Sequence, residues 1–468
     1  MGKYSRLGKN TLLVLVGNAG AKLIGLFMLP FYTSWLSVEE YGTTDIINIY
    51  VTFIMQFVSC CIGESIFIFP KGQKHQIQKE YFSSGLSFCI LSLCITALVF
   101  YLINIFSAFL DTKNSFITNL WFIYGMILST LLQQLFQQFT RSIDKMKIYS
   151  ITGIVLTLST AIFSFCLIPK WGVHGFVLAM IIANICAALF SFCLSGSYKY
   201  FSLNAIRKER CIEMLKYSIP LIPNGIMWWL VSSLNRPIME SYLGLHSIGI
   251  LAVANKFPGI LSMFFVISAN SWQISVLEEY GKKDFSIFYN KIFRAAVFLL
   301  FLIFGGITFC SELLVILFST EEFYDAWKYI PILTLGTVFS CISGLAGSVF
   351  SAVRKSKYYF YSSIWGALVA ILINFIFIPR MGILGASSSI ALSFFIMALF
   401  RIIYSWKYVK LLNISYYLSM MLIFILMILS INLITSWSCV IILFIVGLLI
   451  NKEIFKNIII TIKNKINL

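Results

Sequence analysis

The sequence predicts an all-α polytopic membrane protein of about fourteen transmembrane helices, built as two parallel six-helix halves followed by two extra helices. Three observations predict it. Of the 468 residues, 59% are apolar and 11% charged, with a mean hydropathy of +0.90, whereas soluble domains run at roughly 45–50% and about 25%. The apolar residues fall into runs long enough to cross a bilayer, mostly about 17–25 residues each. Finally, Lys and Arg gather between alternate runs, and one segment of sequence recurs 210 residues downstream.

In chain order the runs lie near residues 11–35, 43–69, 82–106, 116–140, 151–169, 173–197, 214–236, 247–272, 290–312, 327–350, 358–378, 383–405, 415–434 and 436–450. The first is too long for a signal-peptide core and lacks a small-residue cleavage site, so it counts as a span. The last two are separated only by residues 435–438 and read either as two spans or as one bent hairpin. With the amino terminus in the cytoplasm, 28 of the 35 Lys and Arg fall on inner loops and span ends, and the outer side receives only Lys113, Lys170, Arg236, Lys328 and Arg380. That asymmetry places both termini inside.

The repeat supplies the internal architecture. Ile168-Pro-Lys-Trp-Gly-Val-His-Gly175 returns as Ile378-Pro-Arg-Met-Gly-Ile-Leu-Gly385, and Lys145, Lys147 and Tyr149 return as Lys355, Lys357 and Tyr359. A second echo, 207 residues apart, relates Leu36, Gly42 and Asn48 to Leu243, Gly249 and Asn255. Six spans per repeat is an even number, so the halves share one orientation, a plan suited to alternating access. The expected units are 1–198, a cytoplasmic linker over 199–213, 214–410, and an appendage with a basic tail over 411–468.

Several function classes drop out. The net charge of +17 sits in short runs between apolar stretches and forms no basic face for nucleic acid. The eleven Cys lie mostly inside apolar runs with no C-x-x-C pair, and the three His are scattered. Neither a disulfide framework nor a metal knuckle is expected, nor a cofactor. Phosphate-loop, metalloprotease and nucleophile-elbow motifs are missing from the sequence, which points away from an enzyme.

Ionisable groups deep in a span cost about 2.5–3.5 kcal/mol and mark wet cavities or partners. Lys22 lies mid-span with Asn18 and Gly25 on its face of the first run, and Lys256 lies beside Asn255 and two residues before the potential kink at Pro258. In the second run Asp45, Asn48, Thr52, Gln56 and Ser59 recur within a stripe roughly 80° wide, which should line water. Asn224, Trp228, Ser232 and Asn235 form a weaker stripe in the seventh run. Glu64 lies about 120° off the main stripe by helical phase. Arg236, at the outer end, reads first as a snorkelling side chain, and Lys22 either serves the cavity or pairs with Asp45 or Glu64. Gln133, Gln134, Gln137 and Gln138 either line an entrance or merely polarise a helix end. The candidate cavity residues are thus Lys22, Lys256, Arg236, Asn18, Asp45, Asn48, Thr52, Gln56 and Asn255, with Asp45 and Glu64 as coupling carboxylates.

Gly17-Asn-Ala-Gly-Ala-Lys-Leu-Ile-Gly25, Leu29-Pro-Phe-Tyr32 and Leu36-Ser-Val-Glu-Glu-Tyr-Gly42, together with Pro220-x-x-Pro223-Asn224 and the two Pro-[Lys/Arg]-x-Gly-x-x-Gly joints, resemble the Wzx-type polysaccharide flippases of the MATE-like MOP superfamily. The resemblance covers spans one to twelve. It implies a bacterial inner-membrane carrier that moves undecaprenyl-pyrophosphate-linked oligosaccharides to the outer leaflet for O-antigen, lipopolysaccharide or capsule synthesis, with membrane lipids and polysaccharide polymerase or assembly proteins around it. It also implies a cationic cavity between two halves, a role that falls here to Lys22, Lys256 and Arg236. The alternatives are a cation-coupled multidrug exporter of the same superfamily and a membrane-embedded glycan polymerase or transferase.

The topology is checked by reporter fusions. Fusions after Lys113, Trp327 and Arg380 are expected to read as extracytoplasmic and those after Lys145, Arg210 and Lys410 as cytoplasmic; an outside signal at Arg210 would break the two-half plan.

Overall fold

The protein is described by a computed structural model over residues 24–110, 114–432 and 437–452. The described residues contain no strand. Helices α1 (Leu29–Trp35), α2 (Val38–Val58), α3 (Ile62–Ile68), α4 (His75–Leu110), α5 (Leu120–Ser142), α6 (Met146–Leu194), α7 (Lys208–Ser218), α8 (Ile222–Ser232) and α9 (Asn235–Ala254) are followed by α10 (Pro258–Glu279), α11 (Phe285–Phe309), α12 (Ile330–Ala352), α13 (Lys357–Met381), α14 (Ile383–Ser405), α15 (Ile414–Asn432) and α16 (Trp437–Ile450). Among the described residues eight helical stretches are long and apolar enough to cross a membrane, or nine if the bent α2–α3 pair is one span. Among the described residues the other expected passes are helical too, but shorter, more polar or fused across a bend; residues 11–23 of the first run lie outside the described residues. The segment between the ninth and tenth expected runs holds a helix over Ser311–Phe318 and a 3₁₀ helix over Glu321–Lys328.

Helix α4 shows why this is a membrane fold. Phe82, Leu86, Cys89, Leu93, Thr96 and Phe100 are buried along one face, while Leu91, Ile95, Leu98, Leu102, Ile105 and Phe109 stand exposed on the opposite one. The two sets are nine residues out of phase, which at about 100° per residue is half a turn. An exposed apolar stripe of that length needs lipid against it.

The chain divides into two compact units, Met1–Ala252 and Val253–Leu468. The division does not fall at the linker of 199–213, because that segment is docked on the first unit. Ser83 Oγ bonds Tyr200 O at 3.1 Å, Arg207 N donates to Ser84 Oγ at 2.9 Å, Ser65 Oγ bonds Met214 O at 2.8 Å, and Arg210 pairs with Glu80 at 3.2 Å.

The sequence repeat is a structural one. Helix α5 spans Leu120–Ser142 and α12 spans Ile330–Ala352, so both ends shift by 210 residues, and the start of α4 at His75 shifts by the same amount to Phe285 of α11. Asp144 and Arg354, in the turns that follow, share a left-handed backbone with φ of 60° and 55°. At the P-x-x-G joints Gly172 has φ 50°, ψ −127° and Gly382 has φ 59°, ψ −134°, a conformation that suits glycine. The chain folds back there. A Cβ on Gly175 would lie 2.3 Å from Leu167 O, and one on Gly385 would lie 2.3 Å from Phe377 O; eight residues along a straight helix would be about 12 Å apart.

The Leu36–Gly42 motif has a mechanical explanation. Ser37 caps α2 by accepting from Glu40 N at 3.3 Å, and Glu40 Oε2 accepts from Ser37 N at 2.9 Å, a reciprocal capping box. One turn later Gly42 meets α9. A Cβ on Gly42 would come within 2.1 Å of Leu245 O, and one on Gly249 within 2.0 Å of Val38 O. Val38 and Leu245 differ by the same 207 residues as Gly42 and Gly249, so the contact is reciprocal, as a local two-fold axis demands.

In the second unit the terminal pair is a hairpin of two helices. Tyr416 Oη donates to Asn451 Oδ1 at 2.7 Å, tying the start of α15 to the end of α16. It keys into α11, where Gly305 faces the Phe444 ring and Gly447 faces the Phe301 ring, each within 2.2 Å of a would-be Cβ.

The backbone contact at Gly42 and Gly249 yields a stability prediction. Gly42→Ala and Gly249→Ala should each cost roughly 1–3 kcal/mol through overpacking. Gly306→Ala, with nothing within 4 Å, should be neutral or stabilise by roughly 0.5–1 kcal/mol. Thermal unfolding of the detergent-purified protein, with membrane abundance beside it, reads the difference; equal behaviour of the three would refute the close approach.

Candidate functional site

The first unit contains a polar cavity of about 510 Å³ lined from α2, α3, α5 and α6. Thr52, Gln56 and Ser59 of the expected stripe face it, together with Cys61, Glu64, Thr130, Gln133, Gln134, Gln137 and Gln138; Val51, Met55 and Leu156 supply apolar wall. Among the described residues no Lys or Arg belongs to the lining.

Glu64 reaches this cavity because the helix breaks. Cys60 and Cys61 take left-handed conformations with φ of 45° and 53°, and α3 leaves at 57° to α2. Helical phase stops counting at that break, so the 120° offset calculated for a straight span does not apply. The glutamines of α5 likewise prove to be cavity lining. Gln133 Nε2 donates to Gln137 Oε1 at 2.8 Å and Gln137 Nε2 to Tyr149 O at 3.1 Å. Gln138 Oε1 is buried without a hydrogen-bond partner among the described residues, and Gln134 is exposed. Gln56 fits against α8 only because residue 225 is glycine, a Cβ there lying 2.3 Å from Gln56 Oε1.

Asp45, on the same predicted stripe, has a different task. Its Oδ2 lies 3.3 Å from Nε of Arg236, whose side chain is 2% exposed. Arg236 also donates to Ser232 O and Asn235 Oδ1, both at 2.9 Å. It therefore does not snorkel; it is buried in an ion pair between α2 and the start of α9. One helical turn on, Glu240 receives Tyr50 Oη at 2.7 Å and Ser115 N at 3.0 Å. Sequence reasoning passed over Glu240, although its i+4 spacing from Arg236 puts both on one face of the helix. Trp229 Nε1 donates to Ile49 O at 3.2 Å, adding a third tie between α8–α9 and α2.

The remaining candidates divide. Asn48 turns its amide back to Thr44 O at 2.9 Å. Asn255 and Lys256 are exposed at a break between α9 and α10, where Pro258 opens α10; they belong to the second unit. Asn18 and Lys22 lie outside the described residues. The arrangement in the first unit is thus a hydrogen-bonding cavity with one carboxylate, next to a charge-locked helix contact.

Comparison with known proteins fits this geometry. The family model described as "Polysaccharide biosynthesis protein" matches residues 7–273, more than half of the chain, and the MatE model matches residues 220–376. The chain belongs to the polysaccharide biosynthesis protein family. An uncharacterized membrane protein of Methanocaldococcus jannaschii is 23% identical over 281 residues, 57% of this chain and 66% of the relative, just under two thirds of its length. Among solved structures, lipid II flippase MurJ in an inward closed conformation has a TM-score of 0.66 at 18% identity, covering 96% of this chain and all of that one. An inward-facing multidrug resistance MATE transporter of the MOP superfamily has a TM-score of 0.67 at 12% identity, covering 84% and 94%. A MOP superfamily transporter from Pyrococcus furiosus, described as having a binding pocket of reverse polarity, has a TM-score of 0.61 at 12% identity, covering 85% and 94%. The fold is that of the MOP-superfamily flippases and transporters.

The ion pair makes an asymmetric prediction. Asp45→Leu leaves a charge stranded at the buried Arg236, and should cost toward the 3–5 kcal/mol of a broken buried pair. Arg236→Leu leaves the better-hydrated Asp45 and should cost less, and the double variant should recover part of the loss. Unfolding midpoints of the three variants test this; additive losses in the double variant would exclude the coupling.

Proposed function

We propose that this protein is a flippase that carries an undecaprenyl-pyrophosphate-linked oligosaccharide from the cytoplasmic to the outer leaflet of a bacterial inner membrane, without covalent chemistry, by alternating access. The observation that carries the reading is the family match over residues 7–273, on a fold shared with a lipid II flippase. A polar cavity inside an apolar helical body supports it, since a glycan headgroup needs hydrogen bonds during passage that hydrocarbon cannot offer. Charge supports it as well: an anionic headgroup leaving a negative interior gains about 2.3 kcal/mol per charge per 100 mV. Lys22 and Lys256 are the cations proposed to accompany it, Glu64 is the proposed coupling carboxylate, and a polysaccharide polymerase is the expected consumer of the cargo. Both termini are cytoplasmic in this reading.

The MatE match over residues 220–376 favours a second reading, cation-coupled export of drugs. Deletion of the gene separates the two. Flipping predicts lipid-linked repeat units accumulating on the cytoplasmic leaflet with loss of surface glycan; unchanged glycan with heightened dye sensitivity would favour export. Within the flippase reading, Lys256→Arg should keep most surface glycan per membrane-inserted molecule and Lys256→Ala should lose at least tenfold. Full activity in both Lys22→Leu and Lys256→Leu would remove the cationic contribution.

A further inference from the structure

The repeat allows the polar cavity of the first unit to be compared, position by position, with the same place in the second. At the 210-residue offset the four glutamines of α5 become Ser343, Gly344, Gly347 and Ser348 of α12. There the space is filled. A Cβ on Gly344 would lie 3.2 Å from the Phe265 ring, and one on Gly347 would lie 2.6 Å from the Tyr359 ring and 3.4 Å from an Arg401 guanidinium nitrogen. Ser348 Oγ turns back to Leu345 O at 2.7 Å. The helix pair therefore closes well with small residues at these positions, and the amides of α5 are no requirement of the fold. In the first unit they surround 510 Å³ of empty space.

We infer that this cavity is a sugar subsite, which takes the uncharged, hydroxyl-rich glycan part of the cargo and not its pyrophosphate; the inference rests on the flippase reading. An amide offers both a donor and an acceptor, as a sugar hydroxyl or N-acetyl group does in return, so a wall of glutamines matches a saccharide without needing charge. Gln133 and Gln137 are spent on one another and on Tyr149 O, which holds the wall in place, and Gln56 Oε1 accepts from Cys61 Sγ at 3.9 Å; the amide nitrogens of Gln56, Gln134 and Gln138 are left to the ligand. Glu64 can accept from two neighbouring hydroxyls through its two oxygens, and its charge repels a phosphate. Among the described residues no Lys or Arg joins the lining, so none of them neutralises a pyrophosphate here.

Cys61 lines the cavity and is half-buried, so it reports on occupancy. The purified full chain in nanodiscs is treated with a small maleimide, and alkylation of Cys61 is followed by mass spectrometry relative to Cys211 on α7. The probes are the lipid-linked repeat unit extracted from the deletion strain and undecaprenyl pyrophosphate bearing no sugar. The glycan-bearing lipid is expected to slow Cys61 labelling at least fivefold and the sugar-free lipid to leave it unchanged. In the Gln134→Leu/Gln138→Leu double variant, at normal membrane abundance, that protection should disappear. Equal protection by both lipids, no protection by either, or protection that survives in the double variant would each overturn the sugar subsite while accumulation in the deletion strain still upholds the flippase. A deletion strain that accumulates no lipid-linked glycan would overturn the flippase, and the subsite with it.

Discussion

Hydrocarbon offers no partner to a backbone amide, so a membrane helix can be interrupted only where protein or water takes over its hydrogen bonds. The break at Ser59–Cys61 is such a place, and the candidate site depends on it. By turning α3 through 57° the break brings Glu64 round to the wall that Thr52 and Gln56 already form. At the break itself Cys61 N donates to Ser59 Oγ at 3.1 Å and Ile62 N to Ser59 O at 2.9 Å, so the protein takes over the interrupted hydrogen bonds. Glutamines on α5 and the glycine at 225 follow as the fittings such an opening needs: polar groups for its surface, and room on α8 for Gln56.

The cavity sits beside a rigid contact. Val38, Gly42, Leu245 and Gly249 bring two backbones to van der Waals distance, an approach typical of small residues between membrane helices. Asp45 with Arg236 and Tyr50 with Glu240 lie one to two turns beyond it. Polar bonds inside a membrane protein are individually modest, on average about 0.6 kcal/mol. Two of them and a glycine contact nevertheless tie α2 to α9 on both sides of the break that α9 makes at Gly244.

Much of the architecture was legible from the sequence, because membrane spans obey a simple rule of length and the repeat is in register. The 210-residue offset seen in Ile168–Gly175 recurs in both ends of α5 and α12 and in the backbone of Gly172 and Gly382. The site was legible only in part. Thr52, Gln56 and Ser59 were found because a stripe at helical spacing needs only local information. Glu64 was misplaced in phase, since nothing in Cys60-Cys61 announces two left-handed residues in succession. The partner of Asp45 lay 191 residues away and was itself read as snorkelling; an ion pair between distant helices leaves no local spacing to detect. The linker, too, was expected only as a cytoplasmic connection between halves, and Ser83 and Ser84, which hold it, are indistinguishable in sequence from ordinary helix serines.

The interlock of the terminal hairpin with α11 bears on how the molecule is made. Gly305 and the rings of Phe301 and Phe304 are in place on α11 well before residues 414–450 leave the ribosome. Until then that notch has only lipid to fill it. Docking is by aromatic rings seated on glycines, with ring centroids 5.2 Å apart for Phe301 and Phe444 and 5.0 Å for Phe304 and Phe424. Such a joint forms between helices that are already inserted, without drawing any polar group through the hydrocarbon. The two helices are thus joined to α11 by lateral packing, a step that can take place inside the bilayer after both have been inserted.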